Sequence, residues 1–161
     1  MSIRVPLTRI ISGGQTGADQ GALMAAGDLG VPTGGTAPGG WQTETGPQEQ
    51  LLKSYGLEEC SERGYDARTR INVRIADGTL IVGPYEEGGT ALTVRFATEA
   101  AKPAFFVPFD LEEGKRSAGA FLAWLDQYRV RVLNVAGARE SRCPGLQEFT
   151  RAFLVTALRK E

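Results

Sequence analysis

Three glycine-bearing loops hold the residue types that could bind an anion, each after an apolar run and before a helical one. The first, SGGQTGAD over 12–19, breaks the run with Gly13 and Gly14. A helical pattern then restarts with Gln15, Thr16 and Asp19 near its first turn. Glycines let backbone approach a ligand, and the unpaired N–H groups of a helix start supply donors and partial positive charge. The second loop, GPYEEGGT over 83–90, brings Gly88, Gly89 and Thr90, and the third, AGARES over 136–141, brings Gly137, Arg139 and Ser141. Arg139 is placed as a guanidinium fork for phosphate. Arg68 and Asn72, four apart on one helix face, could reach an anion from the side. The spacing S-G-G-Q-T-G matches GxGxxG poorly, so it is the repetition of the loop that points to a phosphate-bearing ligand. The predicted site is the mouth between 12–17 and 88–90, with main-chain N–H groups as chief donors.

Each residue also has a purely structural reading. Ser12, Thr16 and Ser141 suit helix caps or turns, and a carboxylate at Asp19 complements a helix N-terminus without any ligand. Glu86 and Glu87 read as solvated, because two carboxylates beside a phosphate would repel it. Trp41, after PGG in the long polar stretch 36–50, could stack on a planar ring or plug the loop down. A connector of that length is usually a lid or binding loop.

The elements that must carry these loops follow from periodicity. Strands are predicted over 8–12, 31–35, 55–60, 79–82, 104–107 and 131–135. Helices are predicted over 16–29, 66–76, 88–101, 117–128 and 144–158, with Gly30 and Pro32 ending the first and Pro144 in the first turn of the last. The 66–76 helix rests on the spacing Ala67, Ile71, Ile75. Strands alternating with helices imply a parallel sheet covered on both faces: one three-layer, Rossmann-like α/β domain over 1–161. Ligands in such sheets bind beyond the carboxyl ends of the strands, where the strand order reverses. With the common order 3-2-1-4-5-6, the first two loops would flank that point and the third would lie two strands away.

Composition narrows the chemistry. There are 161 residues and no histidine, which removes Ser-His-Asp and Cys-His catalysis and most zinc sites. Acid–base work near neutrality would fall to carboxylates, Lys, Tyr or Cys. Cys60 and Cys143 form no CxxC pair and read as packing residues, so neither a catalytic residue nor a metal ligand is assigned. A net charge of −1 argues against a general nucleic-acid partner. No apolar run approaches the ~18 residues of a membrane span. The first residues lack a signal-peptide core, so a cytoplasmic location is expected.

Taken together, ISGGQTGAD, PTGG–APGG with Glu44 and Gly46–Pro47, RTRINVRIADGTLIV, GGTALT and LNVAGARES resemble the "putative molybdenum carrier" family. That family is a Rossmann-like branch related to the lonely-guy and DprA-type nucleotide-binding proteins. The segments recur in family order over about residues 9–145. The resemblance implies binding of molybdenum cofactor, a phosphorylated pterin dithiolene, for storage or transfer without catalysis and as a homo-oligomer, with molybdoenzymes as possible recipients. It carries Gly13, Gly14, Gln15, Thr16, Asp19, Arg68, Asn72, Gly88, Gly89, Thr90, Gly137, Arg139 and Ser141 over as ligand contacts. The alternatives are a nucleotide-binding sensor and a lonely-guy-like nucleoside monophosphate phosphoribohydrolase. The resemblance weakens the second of these, because the hydrolases' PGGxGTxxE motif, aligned on Gly89–Thr90, puts Thr93 where their glutamate stands.

Overall fold

The computed structural model describes residues 3–62 and 64–160. Its centre is a five-stranded sheet built from β1 (Arg9–Ile11), β2 (Thr33–Gly34), β3 (Gly78–Val82), β4 (Ala104–Val107) and β5 (Val132–Gly137). The spatial order is β2-β1-β5-β3-β4, and every pairing is parallel. All five residues of β3 (GTLIV) are buried, which is why its Leu80–Val82 run is continuously apolar rather than alternating.

The helices are α1 (Ala18–Leu29), α2 (Glu49–Ser54), α3 (Asp66–Ile75), α4 (Gly88–Glu99), α5 (Leu111–Gln127) and α6 (Leu146–Leu158). α1 packs on α6 and α6 on α5, while α3 packs on α4 as a separate pair, giving the three-layer α/β arrangement. Small residues on α1 allow the closest of these approaches: Ala22, Ala25 and Ala26 are fully buried, and a Cβ on Gly21 would lie 2.2 Å from the Gln147 carbonyl oxygen. Gly30 ends α1 in the left-handed conformation, donating its N–H to the Ala26 and Gly27 carbonyls.

Several local expectations shift. The long stretch contains two short pairings, Thr36–Ala37 with Glu58–Glu59 and Gln42–Thr43 with Gly46–Pro47, followed by α2, which periodicity did not announce. α5 begins at Leu111, six residues earlier than expected, because the Asp110 side chain caps it by accepting the Glu113 N–H at 2.9 Å. Pro144 precedes α6 instead of opening it; Glu140 does the capping, accepting the N–H groups of Gly145 and Gln147. The Ile71 and Ile75 that predicted α3 are exposed, and its buried side is Thr69, Asn72 and Val73.

Strand order carries the main correction. β5, last in the chain, lies between β1 and β3. Counted from β5, the order is 3-2-1-4-5, with the reversal between β5 and β3. The loops that flank that point are therefore the third and second, and the first sits one strand further out. The third loop is central to the site, not remote from it.

Candidate functional site

At the carboxyl ends of β5 and β3 an open cleft is lined by Gln15, Asp19, Tyr65, Arg68, Thr69, Gly89, Thr90, Leu92, Thr93, Gly137, Arg139 and Arg142, with Ala136 and Ala138 between them. Three guanidinium groups thus face one cavity from α3 and the third loop. The first turn of α4 enters it from the other side. That helix start has no side-chain cap, and Gly89 has open space where a Cβ would stand. Arginine forks and an uncapped helix N-terminus are both donor sets for an oxyanion.

Behind the cleft lies a buried ion pair. Asp19, 3% exposed, accepts the Gln15 N–H at 3.1 Å and stands 3.4 Å from Arg68 Nη1. Burial raises its pKa from 3.8 to about 6, against the pull of Arg68 and of the Gln15 and Gly13 amides. Arg68 lies so close over Gly13 that a Cβ there would meet Nη1 at 1.7 Å. The Arg68 guanidinium is also 5.3 Å from the Tyr65 ring, and its Nε is buried with no hydrogen-bond partner among the described residues.

The first loop supplies the acid of this pair but few free amides. Gly14 N–H is directed to Ser12 Oγ at 3.4 Å, and Gln15 N–H to Asp19. Thr16 N–H goes to Gln15 Oε1 at 3.0 Å and Gly17 N–H to Gln147 Oε1 at 2.9 Å. A Cβ on Gly14 would point at Leu52 and Leu57, away from the cleft. Asn72 is likewise engaged: its Oδ1 accepts the Thr36 N–H at 2.8 Å and its Nδ2 donates to the Thr36 carbonyl at 3.0 Å. It clips α3 to the segment after β2 and so holds Arg68, one turn earlier, over Gly13.

Thr16, Arg139 and Ser141 meet at a residue the loop pattern left out. Glu44 accepts the hydroxyls of Thr16 and Ser141, takes the Ser141 N–H at 3.1 Å, and lies 3.4 Å from Arg139 Nε. Burial would raise the Glu44 pKa, but these hydrogen bonds and the Arg139 charge outweigh it and hold the carboxyl below its ordinary range. The long segment is thereby stapled to the first and third loops. Trp41 is the plug of that segment, 8% exposed and packed with Leu23, Ala37, Leu52 and Leu57. The aromatic side chain at the cleft is Tyr65. Arg142 was also missed, although it stands three residues from Arg139 in the same loop; Gly88 lies beside it, since a Cβ there would be 2.8 Å from Arg142 Nη1. Glu86 and Glu87 are exposed, with Glu87 Oε2 3.6 Å from Arg142 Nη2. Among the described residues no three Cys, Asp or Glu side chains are grouped to hold a metal ion.

A last strand inserted in the middle of a Rossmann-like sheet is the mark of a chain whose units have been cyclically reordered. The model of the circularly permutated YpsA SLOG family matches residues 10–158. The chain belongs to that family. Its fold is similar to the crystal structure of a protein from Syntrophus aciditrophicus SB named "Putative molybdenum carrier protein", at 35% identity, with 95% of each chain covered and a TM-score of 0.86. No protein of curated function matches the chain. The resemblance read from the sequence and these two findings agree. In this chain β5 stands last among the sheet strands in sequence while lying at the centre of the sheet.

Proposed function

We propose that this protein binds molybdenum cofactor, a phosphorylated pterin, for storage or transfer and does not turn it over. The observation that carries the reading is the convergence of Arg68, Arg139 and Arg142 with the uncapped first turn of α4 on one cleft at the strand-order reversal. In this reading the phosphate lies between the guanidinium groups and the Gly89–Thr90 turn. The pterin ring lies on the Tyr65 side, since Trp41 is committed to the core. The metal would be held by the cofactor's own dithiolene, so the donor set asked of the protein is one for anions and a ring, and the lining supplies that. The name carried by the Syntrophus protein, a molybdenum carrier, supports a molybdenum-containing ligand.

A second reading, hydrolysis of a nucleoside monophosphate, has one observation in its favour. Asp19 is a cleft carboxyl with a pKa of about 6, in the range suited to a general acid or base. Mass spectrometry of small molecules released from anaerobically purified protein, with ribose 5-phosphate assayed alongside, separates the two. Pterin recovered without turnover is the expected result. Ribose 5-phosphate accumulating from a nucleoside monophosphate would replace the carrier reading with the hydrolase.

A further inference from the structure

We infer that an oxyanion entering this cleft is bound together with a proton, which is taken up by Asp19, so that the protein is a proton-coupled receptor for tetrahedral dianions. The inference rests on the anion reading of the cleft and adds to it the state of charge in which the anion is held.

The resting pair is neutral. With Asp19 ionised, the positive charge of Arg68 is already matched at 3.4 Å, and an incoming dianion must share that guanidinium with a buried carboxylate. Like charges brought together in a poorly solvated site raise the pKa of the weaker acid. Other groups relieve this only in part. The first loop faces Asp19 with the neutral Ser12 and Gln15, and the first turn of α4 bears no acidic side chain, Glu87 standing just before it. α3 offers Arg68 and the Tyr65 phenol. Of the two arginines on the third loop, Arg139 is held by Glu44 and Arg142 faces Glu87. Glu44 itself reaches the first loop by donating its N–H to Gln15 Oε1 at 2.8 Å.

Protonation of Asp19 removes this conflict at small cost. Its carboxyl is poised by burial near pH 6, so the proton is within reach close to neutrality. Once it is neutral, Arg68 is a full positive charge beside the cleft, and its buried Nε, without a partner among the described residues, leaves the guanidinium with donor capacity to spare. Gly13 leaves it room to shift, having no Cβ in its path. The anion and the proton therefore favour each other reciprocally, as any two linked ligands must.

Sulfate is a suitable probe, because it stays a dianion from pH 5 to 8. Calorimetric titration of the full chain should show sulfate affinity falling by about fivefold or more over that range. Near pH 7 the heats in two non-anionic buffers of different ionisation enthalpy should report proton uptake. Asp19→Asn should bind sulfate at all these pH values with the acid-side affinity of the wild type and without proton uptake. Arg68→Ala should lose sulfate binding throughout. Binding that depends on Arg68 but shows neither pH dependence nor proton uptake in the wild type overturns the coupling and leaves the site reading standing. Absence of sulfate binding, or binding indifferent to Arg68→Ala, overturns the site reading and the coupling with it. Because proton uptake is read on the unaltered chain, the result does not hang on how well the Asn variant folds.

Discussion

Two neighbouring carboxylates, one in the first turn of α1 and one in the long segment after β2, are driven in opposite directions by their surroundings. Glu44 is surrounded by donors and held ionised. Asp19 is buried with one cation and a few amides and is pushed toward the neutral acid. A carboxyl whose folded pKa is raised makes its full contribution below its unfolded value near 3.8, and that contribution is lost as pH rises through about 6. Over that window the stability difference between wild type and Asp19→Asn should move by about 3 kcal/mol in favour of the variant. Urea unfolding at intervals from pH 3.5 to 7.5 checks this; parallel curves for the two proteins would show that Asp19 titrates as an ordinary surface carboxyl. Glu44 has the opposite sign, stabilising at neutral pH and losing that effect as the pH falls.

Between elements, glycine works chiefly as a spacer. A Cβ on Gly137 would lie 2.5 Å from the Val82 carbonyl oxygen and 2.6 Å from Ala18 Cβ, so the end of β5 is wedged between β3 and α1. Gly17 combines a φ of 82° with a virtual Cβ 2.3 Å from the Ala138 carbonyl oxygen, where the first and third loops meet. Neither clash falls on the flexible end of a side chain, so backbone must move. Gly137→Ala should cost about 1–3 kcal/mol by overpacking, and Gly17→Ala should add strain from the left-handed conformation. Gly89→Ala, with open space around it, should leave the thermal midpoint nearly unchanged. If all three variants melt together, the loops are less tightly joined than this packing requires.

At the scale of the whole molecule, residues near the two ends of the chain meet. Arg4 N–H donates to the Leu158 carbonyl at 2.9 Å, Arg4 Nε to the Arg159 carbonyl at 2.8 Å, and Ile3 bridges Arg159. The exposed turn at Tyr128–Arg129, just before β5, is on the other hand free to be cut. A chain opened there and closed through a short Gly/Ser linker would run β5-α6-β1-α1-β2 and onward, with strand order 3-2-1-4-5 in its own numbering. It should fold cooperatively, within about 1–2 kcal/mol of the parent, because loop closure depends only weakly on length. Loss of a cooperative transition would mean that folding requires β5 to be added last.

Much of this architecture was legible in the chain because it is local. Apolar runs such as TLIV and LNVA, the Gly30 stop and the glycine loops report the neighbourhood of single residues, and they placed the five sheet strands and five of the six helices. Likewise, the residues singled out for anion chemistry include Asp19, Arg68, Gly89, Thr90, Gly137 and Arg139, all of which line one cleft. The roles of Asn72 and Gly14 were decided by tertiary contact: the Thr36 backbone and the Leu52–Leu57 cluster, both distant in sequence, engage them away from the cleft. Glu44 was marked only as part of a resembling segment and Tyr65 not at all, since each gains its role only from partners brought by other elements. Strand order was beyond local reading altogether. Parallel strands joined by long crossovers can be added on either side of the sheet, and periodicity is the same in each case. Only the packed molecule determines that β5 lies at the centre, with its loop beside the one that opens α4.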